Sequence, residues 1–287
     1  MSAVVADVGA VPVPEHSWRS EARAVRTVWW RDLLRFANEP MGIVAWLMQP
    51  LLFLFVLGPG LQTLSEASTD GVDLVTFMFP GTLCMALVYS AIFSAASLVW
   101  DRELGFVREL TVAPVRRWSI VLGKTLGGAT VATSQGLVVL ALAGLVGVPY
   151  APALLLGLFG LIVLVAFTIT AFGVMVAVTI RQPRTFTSVV QMLVFPMIFL
   201  SGALYPVAGL PPWLGVLNRL NPLAYAVDPM RRLVFDHIDA SAASRDALAP
   251  GVTWWGWPVP PLLEVAIVAA LGFAMLAIAI VRFNRTE

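Results

Sequence analysis

Residues 100–124, WDRELGFVRELTVAPVRRWSIVLGK, form a charged island between two long apolar runs. On a helical wheel, the apolar side chains of its first half share one arc: Leu104, Phe106, Val107 and Leu110. Glu103 falls within that apolar arc, and the opposite arc carries Asp101, Arg102, Arg108 and Glu109. Pro114 ends the helix, because proline has no amide donor and disfavours helical geometry in the residue before it. The island predicts a short amphipathic helix, a break, and a basic step into the next apolar run.

Spacing alone leaves two interpretations of this island open. An amphipathic helix on the cytosolic side of a membrane protein is suited to docking another protein. A plain solvated loop would instead use its arginines only to set the membrane topology. Other features of the chain are needed to choose between a docking helix and a solvated loop.

The composition is that of an integral membrane protein. Hydrophobic residues make up 59% of the 287 residues and charged residues 12%, with a mean hydropathy of +0.86. A soluble domain carries roughly twice that share of charge. The net charge of +1 comes from basic residues spread among loops, so nucleic-acid binding is not expected. The single cysteine, Cys84, excludes an intrachain disulfide and a cysteine metal cluster.

Six apolar runs are long enough to cross a bilayer, which takes roughly 20 residues for a core of ~30 Å. They cover residues 41–61, 74–99, 118–146, 153–180, 186–205 and 262–281, and Pro50 predicts a kink in the first. Of the 18 lysines and arginines, 14 fall on the side of both termini and 4 on the other, which predicts cytoplasmic termini. The expected fold is all-α, with a six-span transmembrane domain in residues 39–287.

Two segments precede the first span. Residues 1–17 carry no evident cleavable signal and are predicted to be a disordered cytosolic tail. In residues 18–38 one helical stripe is apolar, and the arginines lie off it; the stripe is Trp18, Ala22, Val25, Trp29, Leu33 and Phe36. This pattern favours an interfacial helix with its guanidinium groups towards anionic lipid. The alternative is a helix that packs against protein.

The connection between the fifth and sixth runs is unusual. Residues 201–261 are largely apolar, but prolines divide them into pieces too short to span: Pro206, Pro211, Pro212, Pro222 and Pro229. Short outer helices that dip into the leaflet as a re-entrant pair fit this pattern best. Irregular backbone at that depth must be buried in protein or line a wet cavity, because lipid cannot satisfy its hydrogen bonds.

Several kinds of chemistry are missing from the sequence. The middles of the runs hold almost no ionisable residue, whereas an ion-coupled transporter usually places carboxylates or histidines there. No hydrolase or metal motif is present, so a membrane enzyme is disfavoured. Gly123, Lys124 and Thr125 resemble the end of a P-loop, but Trp118 occupies the position of its first glycine. Any energy for work must therefore come from a partner.

The layout as a whole resembles a known family. The resemblance rests on six spans, an N-terminal interfacial helix, the island DRELG…L…P…RR…GK, and FLSGALYPV…LP…LNPLAYAVDPMR after the fifth span. These features are similar to the permease subunits of ABC type 2 exporters, in particular daunorubicin-type drug-exporter and nodulation-factor exporter permeases. The likeness extends over nearly the whole chain from about Trp18.

The resemblance implies a transport subunit that is not itself an enzyme. Such a permease pairs with a second permease, often a copy of itself, in the inner or plasma membrane. Two separate cytosolic ATPase subunits bind the ATP and Mg²⁺, so no cofactor is expected on this chain. Closure of the ATPases would push on the coupling helices, rock the permeases and open the seam between them outward.

The resemblance also implies candidate site residues, with no catalytic or metal site among them. In the coupling loop, residues 100–124, the expected ATPase contacts are Asp101, Arg102, Glu103, Gly105, Leu110, Pro114 and Arg117. The expected pathway residues are two within the fifth span, Gln191 and Phe195, and four near its outer end, Phe199, Ser201, Leu204 and Tyr205. An outer motif matches at Asn221, Pro222, Tyr225, Asp228 and Arg231. For the outer motif, a structural role in holding the re-entrant helices together is the favoured alternative.

The substrate class follows only from the fifth run. That run is mostly aliphatic, which favours an amphipathic drug-like or lipid-like substrate. A polysaccharide or glycolipid exporter, whose pathway would be lined with aromatic rings, is one alternative. A non-transporting sensor or assembly protein is another, and it would explain the missing carboxylates equally well. A secondary drug transporter would need an ion-responsive group that the runs lack.

Overall fold

The protein is described here from a computed structural model, which is mostly helical. It describes residues 18–65, 73–103, 116–207, 211–241, 244–245, 248–254 and 256–286. The helices before the charged island are α1 (Trp18–Ala37), α2 (Pro40–Leu52) and α3 (Gly58–Ser65). A π-helical turn, Phe53–Leu57, joins α2 to α3 just after the predicted kink at Pro50. Proline cannot donate to the helical ladder, so a local change of winding at this place is expected.

Three long helices form the centre of the bundle. They are α4 (Leu74–Glu103), α5 (Arg117–Ala141) and α6 (Pro152–Thr179), and all three pack against one another. A 3₁₀ turn, Ala143–Val146, follows α5. The outer half of α4 is buried almost all round, as expected for a helix that is apolar on every side. The core therefore lies around α4.

The last third of the chain adds shorter elements and one long helix. The helices are α7 (Pro183–Phe199), α8 (Pro212–Leu220), α9 (Ala224–Phe235) and α10 (Pro261–Thr286). Strands β1 (Thr253–Trp254) and β2 (Trp257–Pro258) form a two-stranded antiparallel ribbon before α10. Helix α9 packs against α4, α6 and α10, and α10 lies along α6.

Among the described residues, four helical segments are long and apolar enough to cross a membrane. They are Pro40–Leu61, Leu74–Glu103, Pro152–Thr179 and Pro261–Arg285. Helix α5 is long enough, but Lys124 and Gln135 reduce its hydropathy, a composition suited to a helix largely enclosed by its neighbours. Helix α7 has 17 residues, about 25 Å of helix against a core of ~30 Å. The expected all-α membrane fold is confirmed, whereas the six-span count and the re-entrant pair stay predictions.

One close approach fixes the outer end of the bundle. Gly81 of α4 lies directly beneath the backbone of Ala203, in the turn that follows α7, and a Cβ at Gly81 would overlap the Ala203 carbonyl. The turn also contains Gly202 at φ +73°, a backbone conformation that side chains other than hydrogen rarely tolerate. Glycine at these positions allows the turn after α7 to lie flat on α4.

Candidate functional site

Asp101, the first residue of the predicted coupling site, lies in a set of ion pairs whose centre is buried. Its Oδ2 is 2.6 Å from Arg31 Nη2 and 2.8 Å from Lys124 Nζ. Lys124 Nζ also lies 2.8 Å from Asp32 Oδ1, and Arg35 Nη1 lies 3.4 Å from Asp101 Oδ1. We call these five residues the ion network. It joins α1, the last turn of α4 and the first half of α5.

Burial makes the ion network a strong constraint. The side chains of Asp32, Asp101 and Lys124 are 5%, 8% and 2% exposed. Breaking one partner of such a buried pair costs roughly 3–5 kcal/mol, because the remaining charge has lost its water. The Ser97 hydroxyl accepts a further hydrogen bond from Lys124 at 2.9 Å. Burial raises the pKa of the Asp32 carboxyl, and the neighbouring Lys124 ammonium opposes that rise. The network therefore fixes α1 to the bundle.

Near the other end of α1, Glu21 caps the start of α5. Its two carboxylate oxygens accept hydrogen bonds from the Arg116 amide at 3.2 and 3.3 Å, and the Ser119 hydroxyl donates to Oε2. Arg116 is the N-cap residue of α5. A carboxylate there satisfies amides that the helix leaves unpaired and faces the positive end of the helix dipole. Val28, between the two contact points, packs closely against Gly123.

Helix α1 therefore contacts both ends of the segment between Glu103 and Arg116. Asp101 lies at the start of that segment and Arg116 at its end, while residues 104–115 themselves are not described. Glu21 and Asp32 are 11 positions apart on α1, about 16 Å along its axis. A displacement of either end of the segment would be transmitted to α1 at one of these two points.

Arg102 and Arg117 attach the same region to the ends of α6 and α10. Arg102 Nη1 donates to two carbonyls in the last turn of α6, at 3.1 and 3.0 Å, and its guanidinium lies 5.2 Å from the centre of the Phe283 ring. Arg117 Nη1 donates to the carbonyl of Asn284 at 3.0 Å. These bonds satisfy carbonyls that helix C-termini leave without partners. Both arginines thus have structural partners within the chain.

The structure corrects part of the predicted coupling helix. Asp101 was expected on the solvent-facing arc and Glu103 on the apolar arc, but Asp101 is buried and Glu103 is exposed. The reason is that α4 continues without a break to Glu103, so its buried stripe sets the orientation of these residues. Gly105, Leu110 and Pro114 lie outside the described residues. ATPase contact by any of the seven residues stays a prediction.

The buried face of α1 was not identified from the sequence. Glu21, Val28 and Asp32 are the buried residues of α1, spaced i, i+7 and i+11. This stripe is offset from the predicted apolar stripe. Because two of its three residues are carboxylates, hydropathy does not mark it as a buried face. Helix α1 packs along α5, which is the alternative of a helix against protein. This face of α1 therefore packs against protein, and the interfacial position of the helix at lipid headgroups stays a prediction.

Helix α7 presents one continuous exposed face that contains three of the predicted pathway residues. Gln191, Phe195 and Phe199 lie on it at i, i+4 and i+8, beside Met192. The rings of Phe195 and Phe199 are 4.7 Å apart, and Phe195 is 59% exposed. The opposite face packs into the core through Phe186, Val190, Val194 and Ile198. Three of the six predicted pathway residues therefore share one surface, and their role in a pathway stays a prediction.

The other three predicted pathway residues follow the end of α7. Ser201 is buried, and its hydroxyl donates to the Ile198 carbonyl at 2.7 Å and accepts from the Ala203 amide at 3.2 Å. These bonds cap the end of α7. Leu204 packs against the core, and Tyr205 is half-buried. Ser201 thus has a capping role in this structure, separate from the exposed face of α7.

The outer motif holds the short helices to the bundle. Asn221 Nδ2 donates to the Met197 carbonyl at 2.6 Å, and Asn221 Oδ1 accepts from the Leu223 amide at 3.1 Å. The Tyr225 hydroxyl donates to the Arg219 carbonyl at 2.7 Å. Pro222 is half-buried between them in the turn that precedes α9. These contacts agree with the structural alternative for the motif, whose role stays a prediction.

The last two residues of the outer motif, Asp228 and Arg231, also have partners within the chain. Arg231 is 3% exposed, donates to the Gly202 carbonyl at 2.6 Å, and lies 4.1 Å from the centre of the Phe77 ring. Arg232 Nη2 lies 2.7 Å from Asp228 Oδ2 and 3.4 Å from Glu264 Oε1. Arg231 therefore ties α9 to the turn after α7, and Arg232 ties α9 to α10. The outer helices form one packed unit.

The fold and these sites define a multi-pass helical membrane protein whose first helix is locked to a charged loop at one end of the bundle. The chain belongs to the ABC-2 type transporter family, whose sequence profile matches residues 23–235. The resemblance to ABC type 2 permeases is thereby confirmed. The protein is a membrane transport subunit.

Three relatives illustrate the family. The transport permease ycf38 of Cyanophora paradoxa is 28% identical over 207 residues, 71% of each chain. Nodulation protein J of Sinorhizobium fredii is 27% identical over 235 residues, 79% of this chain and 85% of that protein. The multidrug ABC transporter permease YbhR of Escherichia coli K12 is 28% identical over 165 residues, 56% of this chain and 44% of that protein.

Proposed function

We propose that this chain is the transmembrane subunit of an ATP-driven exporter in a cell membrane, with both termini in the cytoplasm. ABC-2 permeases normally work with ATPase subunits, and two such subunits would supply ATP hydrolysis here. The observation that carries the proposal is that α1 is attached to both ends of the segment that the family resemblance identifies as the coupling loop. A loop anchored in this way can pass an ATPase movement to the bundle.

The proposed route of force through the chain follows from these contacts. A push on residues 104–115 would act on Asp101 and Arg116, and through them on α1, α4 and α5. Arg102 and Arg117 would carry the same push to the ends of α6 and α10. The bundle would therefore tilt as one body, as rocking of a permease requires.

A second copy of the chain would complete the pathway. Helices α2 and α7 both pack on α4, and each leaves an apolar face exposed in a single chain. The exposed side chains of α2 include Met41, Val44, Met48 and Leu52. Two such faces from two copies would form the seam along which substrate moves, with Gln191, Phe195 and Phe199 lining it. The proposed substrate is an amphipathic drug-like or lipid-like molecule.

Two other functions remain to be separated from this one. A permease for a polysaccharide or glycolipid substrate is the second candidate. The paired aromatic rings of Phe195 and Phe199 on the exposed face of α7 favour that candidate. The otherwise aliphatic sequence of the helix favours the amphipathic drug-like or lipid-like substrate. A non-transporting sensor or assembly protein is the third.

The test is affinity purification of the full chain from its native membrane, with the co-purifying proteins identified. We expect a stoichiometric cytosolic ATPase whose ATP hydrolysis increases in the presence of this chain. Efflux that stops when ATP is depleted but survives collapse of the proton gradient would agree with the proposal. A chain that purifies without any ATPase would contradict it and favour the sensor.

A further inference from the structure

Two apolar grooves meet on one side of α5. The first, of about 520 Å³, lies between α1 and α5, and the second, of about 410 Å³, lies between α5 and α6. Leu126 and Thr130 line both of them, and we call the two together the α5 groove. Its wall on α1 is formed by the first four residues of the apolar stripe predicted from the sequence, Trp18, Ala22, Val25 and Trp29. The α5 groove therefore lies beside the stripe whose pattern is typical of a membrane interface.

The α5 groove has the length of the acyl layer of one leaflet. Along α5 it follows Leu122, Leu126, Thr130 and Thr133, spaced i, i+4, i+8 and i+11. The first and last of these are 11 positions apart, about 16 Å along the axis and close to half of a hydrocarbon core of ~30 Å. The Thr130 hydroxyl donates to the Leu126 carbonyl and accepts from the Trp29 indole, so its polar atoms already have partners. The groove thus offers an acyl chain an apolar surface of matching length.

A stripe of arginines runs beside the α5 groove. Arg19, Arg23 and Arg26 are spaced i, i+4 and i+7 on α1, and all three are exposed. At 3.6 residues per turn, the apolar stripe of α1 lies between these arginines and the buried stripe that contains Glu21 and Val28. Arg26 itself lines the groove, and its guanidinium makes no ion pair with the described residues. The groove therefore has an uncompensated positive charge at its α1 end.

This charge favours an anionic head group. Glu21 is the only acidic residue between Trp18 and Arg31, and its carboxylate already caps α5. Guanidinium groups bind phosphate through two parallel hydrogen bonds, and basic residues at a membrane surface attract anionic lipid. The rings of Trp18 and Trp118 line the same end of the groove, 6.3 Å apart, and tryptophan prefers the layer of lipid headgroups. The α1 end of the groove therefore suits a lipid phosphate.

We propose that the α5 groove binds one phospholipid with an anionic head group, taken from the leaflet on the α1 side. Its phosphate pairs with Arg26, and one acyl chain follows α5 past Leu126 towards Thr133. This is a single defined site, and it goes beyond a general contact of α1 with lipid headgroups. Binding at this site needs neither ATP hydrolysis nor export, so it is independent of the proposed function.

The test compares two lipids that differ only in the head group. The full chain is purified in detergent, dioleoylphosphatidylglycerol or dioleoylphosphatidylcholine is added, and the bound lipids are counted by native mass spectrometry. Both lipids have a phosphate and the same acyl chains, but only phosphatidylglycerol carries a net negative charge. We expect the first phosphatidylglycerol to bind roughly tenfold more tightly than phosphatidylcholine. Equal affinity of the two lipids would overturn the proposal.

Two exposed arginines test the contact with the head group. Arg26→Gln should reduce phosphatidylglycerol affinity roughly fivefold. It should reduce phosphatidylcholine affinity less, because the choline cation already offsets that phosphate. Arg184→Gln is the matched control, since Arg184 is exposed at the start of α7 and lines neither part of the α5 groove. Equal losses in the two variants would indicate general electrostatic attraction and overturn the site.

Two glycines test the path of the acyl chain. Gly160 lines the groove and has nothing within 4 Å of its Cβ position, so Gly160→Phe should place a ring in the groove without disturbing the protein. We expect this variant to keep the thermal unfolding midpoint of the wild type and to lose selective phosphatidylglycerol binding. Gly215→Phe, at an equally open position on α8, should bind as the wild type does. Unchanged binding in Gly160→Phe would overturn the assignment to this groove.

A last comparison separates the lipid from a protein partner and this proposal from the proposed function. Phosphatidylglycerol that stays bound when the cognate ATPase is added supports the lipid site, whereas its displacement would assign this side of α1 to protein and overturn the site. Selective lipid binding by a chain that purifies without any ATPase would support the site and contradict the proposed function. A chain that stimulates an ATPase but shows no preference for phosphatidylglycerol would do the reverse.

Discussion

Lys124 Nζ lies 2.8 Å from Asp101 Oδ2, and this ion pair connects the last turn of α4 to α5 across the segment 104–115. The same ammonium lies 2.8 Å from Asp32 Oδ1 on α1. Three helices therefore meet at one buried positive charge. The predicted coupling loop therefore begins beside a buried ammonium group that joins three helices.

Replacing Asp101 tests the strength of this junction. Asp101→Asn should lower the free energy of unfolding by roughly 3–5 kcal/mol, because the buried Lys124 ammonium loses one of its carboxylate partners and Arg31 loses the same one. The measurement is the thermal unfolding midpoint of the purified chain in detergent. Glu103→Gln is the control, since Glu103 is exposed two residues away and should leave the midpoint unchanged. Equal midpoints for the two variants would show that the network is dispensable.

Replacing Glu103 should impair coupling without lowering stability, in contrast to Asp101. Because it is exposed at the end of α4, next to the proposed coupling loop, Glu103→Ala is expected to leave the chain folded and to uncouple ATP hydrolysis from export. Export and ATP hydrolysis are measured together in proteoliposomes that contain the cognate ATPase. Asp239→Ala, an exposed acidic residue elsewhere in the chain, is the control. Unchanged export in Glu103→Ala would remove this residue from the coupling site.

The exposed face of α7 gives a prediction about the pathway. Phe195→Ala should reduce export several-fold with little effect on thermal stability, because Phe195 is 59% exposed and contributes little to the core of a single chain. Leu193→Ala is the matched control on the same helix, since Leu193 is 40% exposed but lies away from the face of Gln191, Phe195 and Phe199. Equal transport by the two variants would argue that the α7 face does not line the pathway.

Packing at Gly81 predicts a large difference between two glycines. Gly81→Ala should destabilise the chain by several kcal/mol, since the added methyl group meets the backbone of Ala203, which cannot move without displacing the turn after α7. Gly160→Ala should be neutral or stabilising, because nothing lies near its Cβ position and alanine is the better helix former. Thermal unfolding of both variants checks this contrast, and a stable Gly81→Ala protein would contradict the packing of that turn.

Much of the helical fold could be predicted from the sequence, because apolar runs and prolines act locally. Helix α6, apolar on every side, was expected at 153–180 and spans Pro152–Thr179. Pro50 was expected to disturb its helix and is followed by the π-helical turn. Helix α7 ends at Phe199, short of the predicted 205, because the chain turns at Gly202 and Ser201 caps the helix.

The ion network could not be predicted, because its members are distant in sequence and individually look like surface residues. Asp32 lies among arginines that were expected at lipid headgroups, and Lys124 was expected as part of a basic step. Their burial depends on how α1 lies across α5, which periodicity does not reveal. The predicted orientation of Asp101 was wrong for a related reason. The helical wheel was drawn from the island alone, whereas α4 continues without a break to Glu103, so the buried side of α4 decides which way Asp101 faces.

The measurement that tests coupling through α1 most directly is ATP hydrolysis by the purified complex of this chain with its cognate ATPase, compared between wild type and Glu21→Gln. The amide keeps the size of the side chain but weakens the cap on Arg116 and Ser119. We expect the variant to co-purify with the ATPase and to lose most of the substrate-stimulated hydrolysis. Full stimulation in the Glu21→Gln complex would contradict transmission of force through α1.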